Sequence, residues 1–96
     1  MWTEIEEKLN TLSLFYKKNF KPPSYISLIN TKNTIVYLKK NKYPPPSLLN
    51  FNGNGSIYFE WDYDILKLTL NIIEKKTEFI IYFDNTEIYK NLWPTV

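Results

Sequence analysis

Cysteine, histidine, arginine and alanine are missing from this chain of 96 residues, and its only glycines are Gly53 and Gly55. Each absence removes a class of chemistry. Without cysteine there is no disulfide framework, no thiolate zinc site and no thiol nucleophile. Without histidine the imidazole base of a Ser-His-Asp triad and the commonest metal ligand are gone. Without arginine no planar fork grips phosphate or guanine in a bidentate way. The glycines make neither a GxGxxG nor a GxxxxGK[ST] loop. Catalysis would fall to Asp, Glu, Lys, Tyr, Ser or Thr alone. A non-enzymatic protein is therefore expected, with no cofactor and no metal.

Excess charge is scarce too. The 12 basic and 10 acidic residues leave a net charge of +2, too little for a nucleic-acid footprint. No run of about 18 apolar residues could span a membrane. Trp2, Thr3 and Glu4 after Met1 do not read as a secretory leader. A cytoplasmic protein is expected, in a bacterium or a phage-infected cell. The lean toward Lys, Asn, Ile, Tyr and Phe fits an AT-rich genome. What is plentiful is apolar surface, 44% hydrophobic and 18% aromatic, which marks a globular chain of one domain.

The first segment reads as a helix. Thr3 with Glu6 makes a capping box, and early glutamates and later Lys17 and Lys18 suit the helix dipole. Ile5, Leu9, Leu12 and Tyr16 form its apolar stripe, and Pro22-Pro23 should stop it near Phe20. Residues 24–40 fit either a helix capped by Ser24 or a strand over Thr34 to Leu38, and their length favours the helix. Tyr25, Leu28, Ile29, Ile35, Val36 and Leu38 would then make its apolar face. Tyr43-Pro44-Pro45-Pro46-Ser47 opens a stiff connector over 43–55, ending in the turn Asn52-Gly53-Asn54-Gly55.

Beyond Ser56 the period changes to two. Ile57, Phe59 and Trp61 alternate with Tyr58, Glu60 and Asp62, then Leu66, Leu68, Leu70 and Ile72 with Lys67, Thr69 and Asn71. Phe79, Ile81 and Phe83 alternate with Ile80 and Tyr82, and Thr86 to Leu92 reads as a last edge strand. The expected fold is α+β: two N-terminal helices (half 1–42) packed on one face of a C-terminal four-stranded antiparallel meander (half 56–93). All the inward rows, including Leu66, Leu68, Ile81 and Phe83, should meet the helices.

Three constellations stand out. Glu60 and Asp62 share a strand face with Asp64 nearby; such carboxylates usually stay solvated or pair with a lysine such as Lys67. The outward sheet face, Tyr58, Glu60, Lys67, Thr69, Ile80, Tyr82 and Tyr89, carries aromatics and an Ile where a polar face is usual, which suits a protein interface. Lys17, Lys18, Lys21, Lys39, Lys40 and Lys42, with Tyr16, Tyr37 and Tyr43 interleaved, could grip a nucleic-acid backbone, and such binding must weaken steeply with salt.

Gly55-Ser56-Ile57-Tyr58-Phe59-Glu60-Trp61, preceded by Pro44 to Pro46, resembles a pattern in small uncharacterised bacterial and mobile-element proteins, where a Pro-rich connector leads into a Gly-x-Ile-x-φ-Glu-Trp strand. The resemblance covers about residues 43–72 and lacks the Asp often found before the Gly. It implies helices before sheet and no enzyme, and it assigns no residue a role.

The expected function is a small protein-binding module. It would act as a stoichiometric inhibitor, antitoxin-like or anti-CRISPR-like, masking a partner protein by the Tyr58/Tyr82 face or by pairing along the Thr86 to Leu92 edge. The alternatives are a nucleic-acid-binding module using the lysines, or a homo-oligomer that buries its aromatic face against a copy of itself.

Overall fold

A computed structural model describes residues 1–14 and 21–94, without the side chains of Trp93 and Pro94. The elements run α1 (Trp2–Ser13), α2 (Tyr25–Lys40), β1 (Leu48–Phe51), β2 (Ile57–Tyr63), β3 (Leu66–Ile73), β4 (Lys76–Phe83) and β5 (Thr86–Pro94). The strands form one antiparallel sheet of five in chain order. The class is α+β, with one strand more than expected. The extra strand, β1, lies inside what reads as connector, so the connector shortens to 43–47 and the sheet begins at Leu48.

The hairpins follow from their turn residues. β2–β3, β3–β4 and β4–β5 are each joined by two residues, and the left-handed backbone falls on Asp64, on Glu74 and on both Asp84 and Asn85. Two left-handed residues in a row match the strand twist, and Asp and Asn bear that conformation at low cost. In the β1–β2 loop Gly55 has φ +94°, and a Cβ there would lie 3.5 Å from the Lys21 side chain. Backbone preference, more than space, demands glycine at that point.

Both helices differ from expectation in detail. α1 begins at Trp2 behind Met1, and no side chain caps it, so Thr3 lies inside the first turn. It ends at Ser13 with Leu14 closing the turn, well before the prolines. Phe15 to Phe20, which include Tyr16, Lys17 and Lys18, lie outside the described residues. α2 is a helix, and Ser24 caps it by accepting from the Ser27 N–H at 3.1 Å.

Only half of the expected apolar stripe of α2 meets the core: Ile35, Leu38 and, partly buried, Leu28. Tyr25, Ile29 and Val36 are exposed, while Ser27, Asn30 and Thr31 are buried with Ile35 and Leu38. The reason lies in the β3–β4 turn. Ser27 Oγ accepts from the Glu74 N–H at 2.6 Å, and Asn30 Nδ2 donates to the Glu74 carbonyl at 2.5 Å. These side chains satisfy a turn that would otherwise bury unpaired backbone groups. Asn30→Ala strands the carbonyl and should cost about 1–3 kcal/mol in a urea unfolding curve. A variant as stable as the parent would show that this anchor contributes nothing.

The core fills the space between the helices and the β1–β3 part of the sheet. Ile5 and Leu9 of α1 and Ile35 and Leu38 of α2 meet Leu49, Phe51, Ile57, Phe59, Trp61, Leu70 and Ile72. The connector is tied from both halves: Trp2 Nε1 donates to the Tyr43 carbonyl at 3.0 Å and Trp61 Nε1 to that of Pro44 at 2.9 Å.

Candidate functional site

The helical layer covers only part of its sheet face. α1 lies against β1 and α2 against β3. The cross-strand rows continue past them. Tyr63, Leu66, Phe83 and Thr86 form one row; Trp61, Leu68, Ile81 and Tyr89 form the next; Leu70, Phe79 and Asn91 follow. Directly paired residues share a face, so these rows belong to the face the helices occupy. Their far ends are nevertheless open: Phe83 is 49% and Tyr89 48% exposed, and Tyr63 and Leu66 are exposed as well. The expectation that the helices cover Leu66 and Phe83 is thus corrected. Two helices shield the strands beneath them and leave open the Tyr63, Leu66 and Phe83 end of the face and the outer strand at Tyr89.

A cleft of about 500 Å³ runs between α2 and the sheet. Asn33, Thr34 and Tyr37 form its α2 wall, Trp61, Leu68 and Phe79 line the sheet side, and no charged residue lines it. Phe79 meets Tyr89 edge to face, with ring centroids 6.2 Å apart. Concave, mostly apolar surface with a few polar groups is the usual form of a binding site.

The outward face is built differently. Tyr58, Glu60, Lys67, Thr69, Ile80 and Tyr82 do gather there, as the alternation implies. Yet no helix among the described residues covers them, and the central cross-strand pair Thr69 and Ile80 is only 6% and 8% exposed. The polar side chains of this face meet one another. Tyr58 Oη donates to Glu60 Oε1 at 2.8 Å, Lys67 Nζ lies 3.9 Å from the same oxygen, and Lys90 pairs with Glu78 at 3.4 Å. Among the described residues no group of three His, Cys, Asp or Glu gathers as a metal site would require.

Burial of the Tyr58 phenol, then its hydrogen bond to Glu60 and the charges of Glu60 and Tyr82, hold its ionisation well above the ordinary tyrosine range. The neutral phenol is the form the fold favours. Its contribution to stability is complete below about pH 10, the unfolded value, and is lost as pH rises beyond it. Tyr58→Phe should therefore flatten the alkaline limb of a stability–pH profile. An unaltered limb would show that Tyr58 titrates alike in both states.

Tyr89 does not join the outward face. Ile81 pairs with Tyr89 while Tyr82 pairs with Glu87, so Ile88 is an extra residue in β5. One inserted residue turns every later side chain over. Plain alternation, which cannot register the bulge, sets Tyr89 beside Ile80; the structure sets it beside Ile81, on the helix side.

The described lysines of the set do not merge into one patch. Lys21 donates its backbone N–H to the Gly53 carbonyl at the β1–β2 loop, whereas Lys39, Lys40 and Lys42 sit where α2 meets the connector, at the other end of β1. Lys39 is paired with Glu6 at 3.0 Å. Lys17 and Lys18 lie outside the described residues. No helix among the described residues is long and apolar enough to cross a membrane.

No family model, no curated protein and no solved structure matches this chain.

Proposed function

We propose that this chain is a non-enzymatic protein-binding module that acts stoichiometrically by masking a partner, and that it docks through the open Tyr63, Leu66 and Phe83 end of its sheet, with Tyr89 beside it, and the adjoining cleft. One observation carries the reading. Large exposed side chains, Tyr63, Leu66, Phe83 and Tyr89, stand side by side on a face whose other half is core. A chain this small can ill accommodate open aromatic surface beside its core, and such surface commonly marks an interface. The outward face is the weaker candidate because its polar groups already satisfy one another. Strand addition at β5 is weaker as well. The Ile88 bulge breaks the edge and Lys90 stands on it, and both features discourage pairing. The test is capture of the partner from the native host by tagged protein, comparing Phe83→Asp with a Tyr58→Ala/Tyr82→Ala variant. Loss in the first and retention in the second supports this docking surface; the reverse places it on the outward face.

A further inference from the structure

The spacing of the helical layer says what shape the missing cover has. α1 lies over β1 and α2 over β3, a step of two strands. Strands are about 4.8 Å apart, so that step is about 10 Å, the distance at which helices pack side by side. The next equal step falls on β5, the last strand of the sheet. The cleft beside α2 reaches toward this third position as far as Thr77 and Phe79 of β4.

Charge distinguishes the two ends of the position. At one end the Asp84 N–H donates to the Ile65 carbonyl at 2.8 Å, which holds the β2–β3 and β4–β5 turns together and brings Asp64 and Asp84 to one end of the slot. Among the described residues neither carboxylate makes an ion pair. At the other end the β3–β4 turn offers exposed Lys75, while the carboxylate of Glu74 accepts from Ser24 Oγ at 3.0 Å. Between the ends the lining is uncharged.

We infer that the open part of this sheet face receives one amphipathic helix of a partner protein, apolar where it meets β4 and β5 and basic where it passes the Asp64 and Asp84 turns. The helix runs antiparallel to α2. α2 starts at the Glu74 turn, and the positive end of the incoming helix dipole belongs at the aspartates, with its negative end at Lys75. This inference rests on the protein-binding reading above and adds the chemistry of the partner.

The probe is a stapled 18-residue leucine/serine helix with lysines in its first turns, set against a twin carrying glutamates there. Binding to the full chain is read by fluorescence anisotropy and located by amide chemical-shift changes. The lysine helix should bind at least tenfold more tightly than the glutamate twin. Shifts should fall on Asn33 to Tyr37 and Phe79 to Tyr89 and spare Tyr58 to Glu60. Asp64→Lys/Asp84→Lys should invert the preference. Equal binding of the twins, or shifts on the outward face, overturns the inference. Two further outcomes separate it from the reading beneath it. If a photo-cross-linker at position 83 captures a partner segment that is extended rather than helical, protein binding stands and the helix fails. If the chain alone doubles in mass with concentration and Phe83→Asp restores the monomer, a second copy occupies the position and the helix fails.

Discussion

Phe59→Ala should remove about 3–5 kcal/mol of folding stability. Phe59 is fully buried at 0% exposure and is paired with Leu49 on one side and Leu70 on the other. Its ring meets Trp61 edge to face at 6.1 Å. Rigid strands surround it, so the vacated volume cannot collapse, and the cavity adds to the lost transfer energy. Domains of this size hold roughly 5–15 kcal/mol in all, so the variant would be close to unfolding at growth temperature. Phe83→Ala on the same face should cost less than about 1 kcal/mol, since half of that ring already meets water. Parallel urea titrations decide the matter. Similar losses for the two would mean that the helices cover the whole face.

The second large effect is on binding. Phe83→Asp should weaken partner capture by tenfold or more, which corresponds to about 1.4 kcal/mol or above. Aromatic anchors at the centre of an interface typically carry about 2 kcal/mol or more each, and a carboxylate forced under an apolar partner adds a desolvation penalty. The folded monomer should tolerate the change because the residue is exposed at the end of β4. Near-equal melting temperatures with a lost complex, measured by calorimetry on the purified pair, is the expected result. Capture that survives Phe83→Asp and fails in Tyr58→Ala/Tyr82→Ala would move the docking surface to the other face.

Much of this architecture is readable in the residues. The period-two rows of β2 to β4 and the Asp, Glu and Asn turns between them are local signals, and the register observed follows them residue by residue. β1 was hidden for a local reason as well. A strand of four residues between Pro44–Pro46 and the Asn-Gly loop is too short to show a period. The polar part of the buried face of α2 is invisible because it is chosen by the backbone of Glu74, distant in sequence, which calls for Ser27 and Asn30. The candidate site escapes notice for a related reason. Alternation tells which side of the sheet Leu66 and Phe83 take; it does not tell how far two helices reach across that side. Tyr37 and Tyr43, read as companions of lysines, line the cleft instead.

The extra residue in β5 has an evolutionary corollary. Ile88 works as a one-residue phase shift between Glu87 and everything that follows it in the strand. Exchanging its side chain changes only a patch of exposed surface. Deleting it removes the bulge and leaves the pairing beyond it unchanged: Tyr89 stays opposite Ile81 beside the ring of Phe79, and Lys90 stays opposite Ile80 beside Glu78. This point of the strand should therefore accept both substitution and the loss of one residue, whereas a residue lost between Tyr89 and Leu92, inside the paired stretch, would shift the partners beyond it.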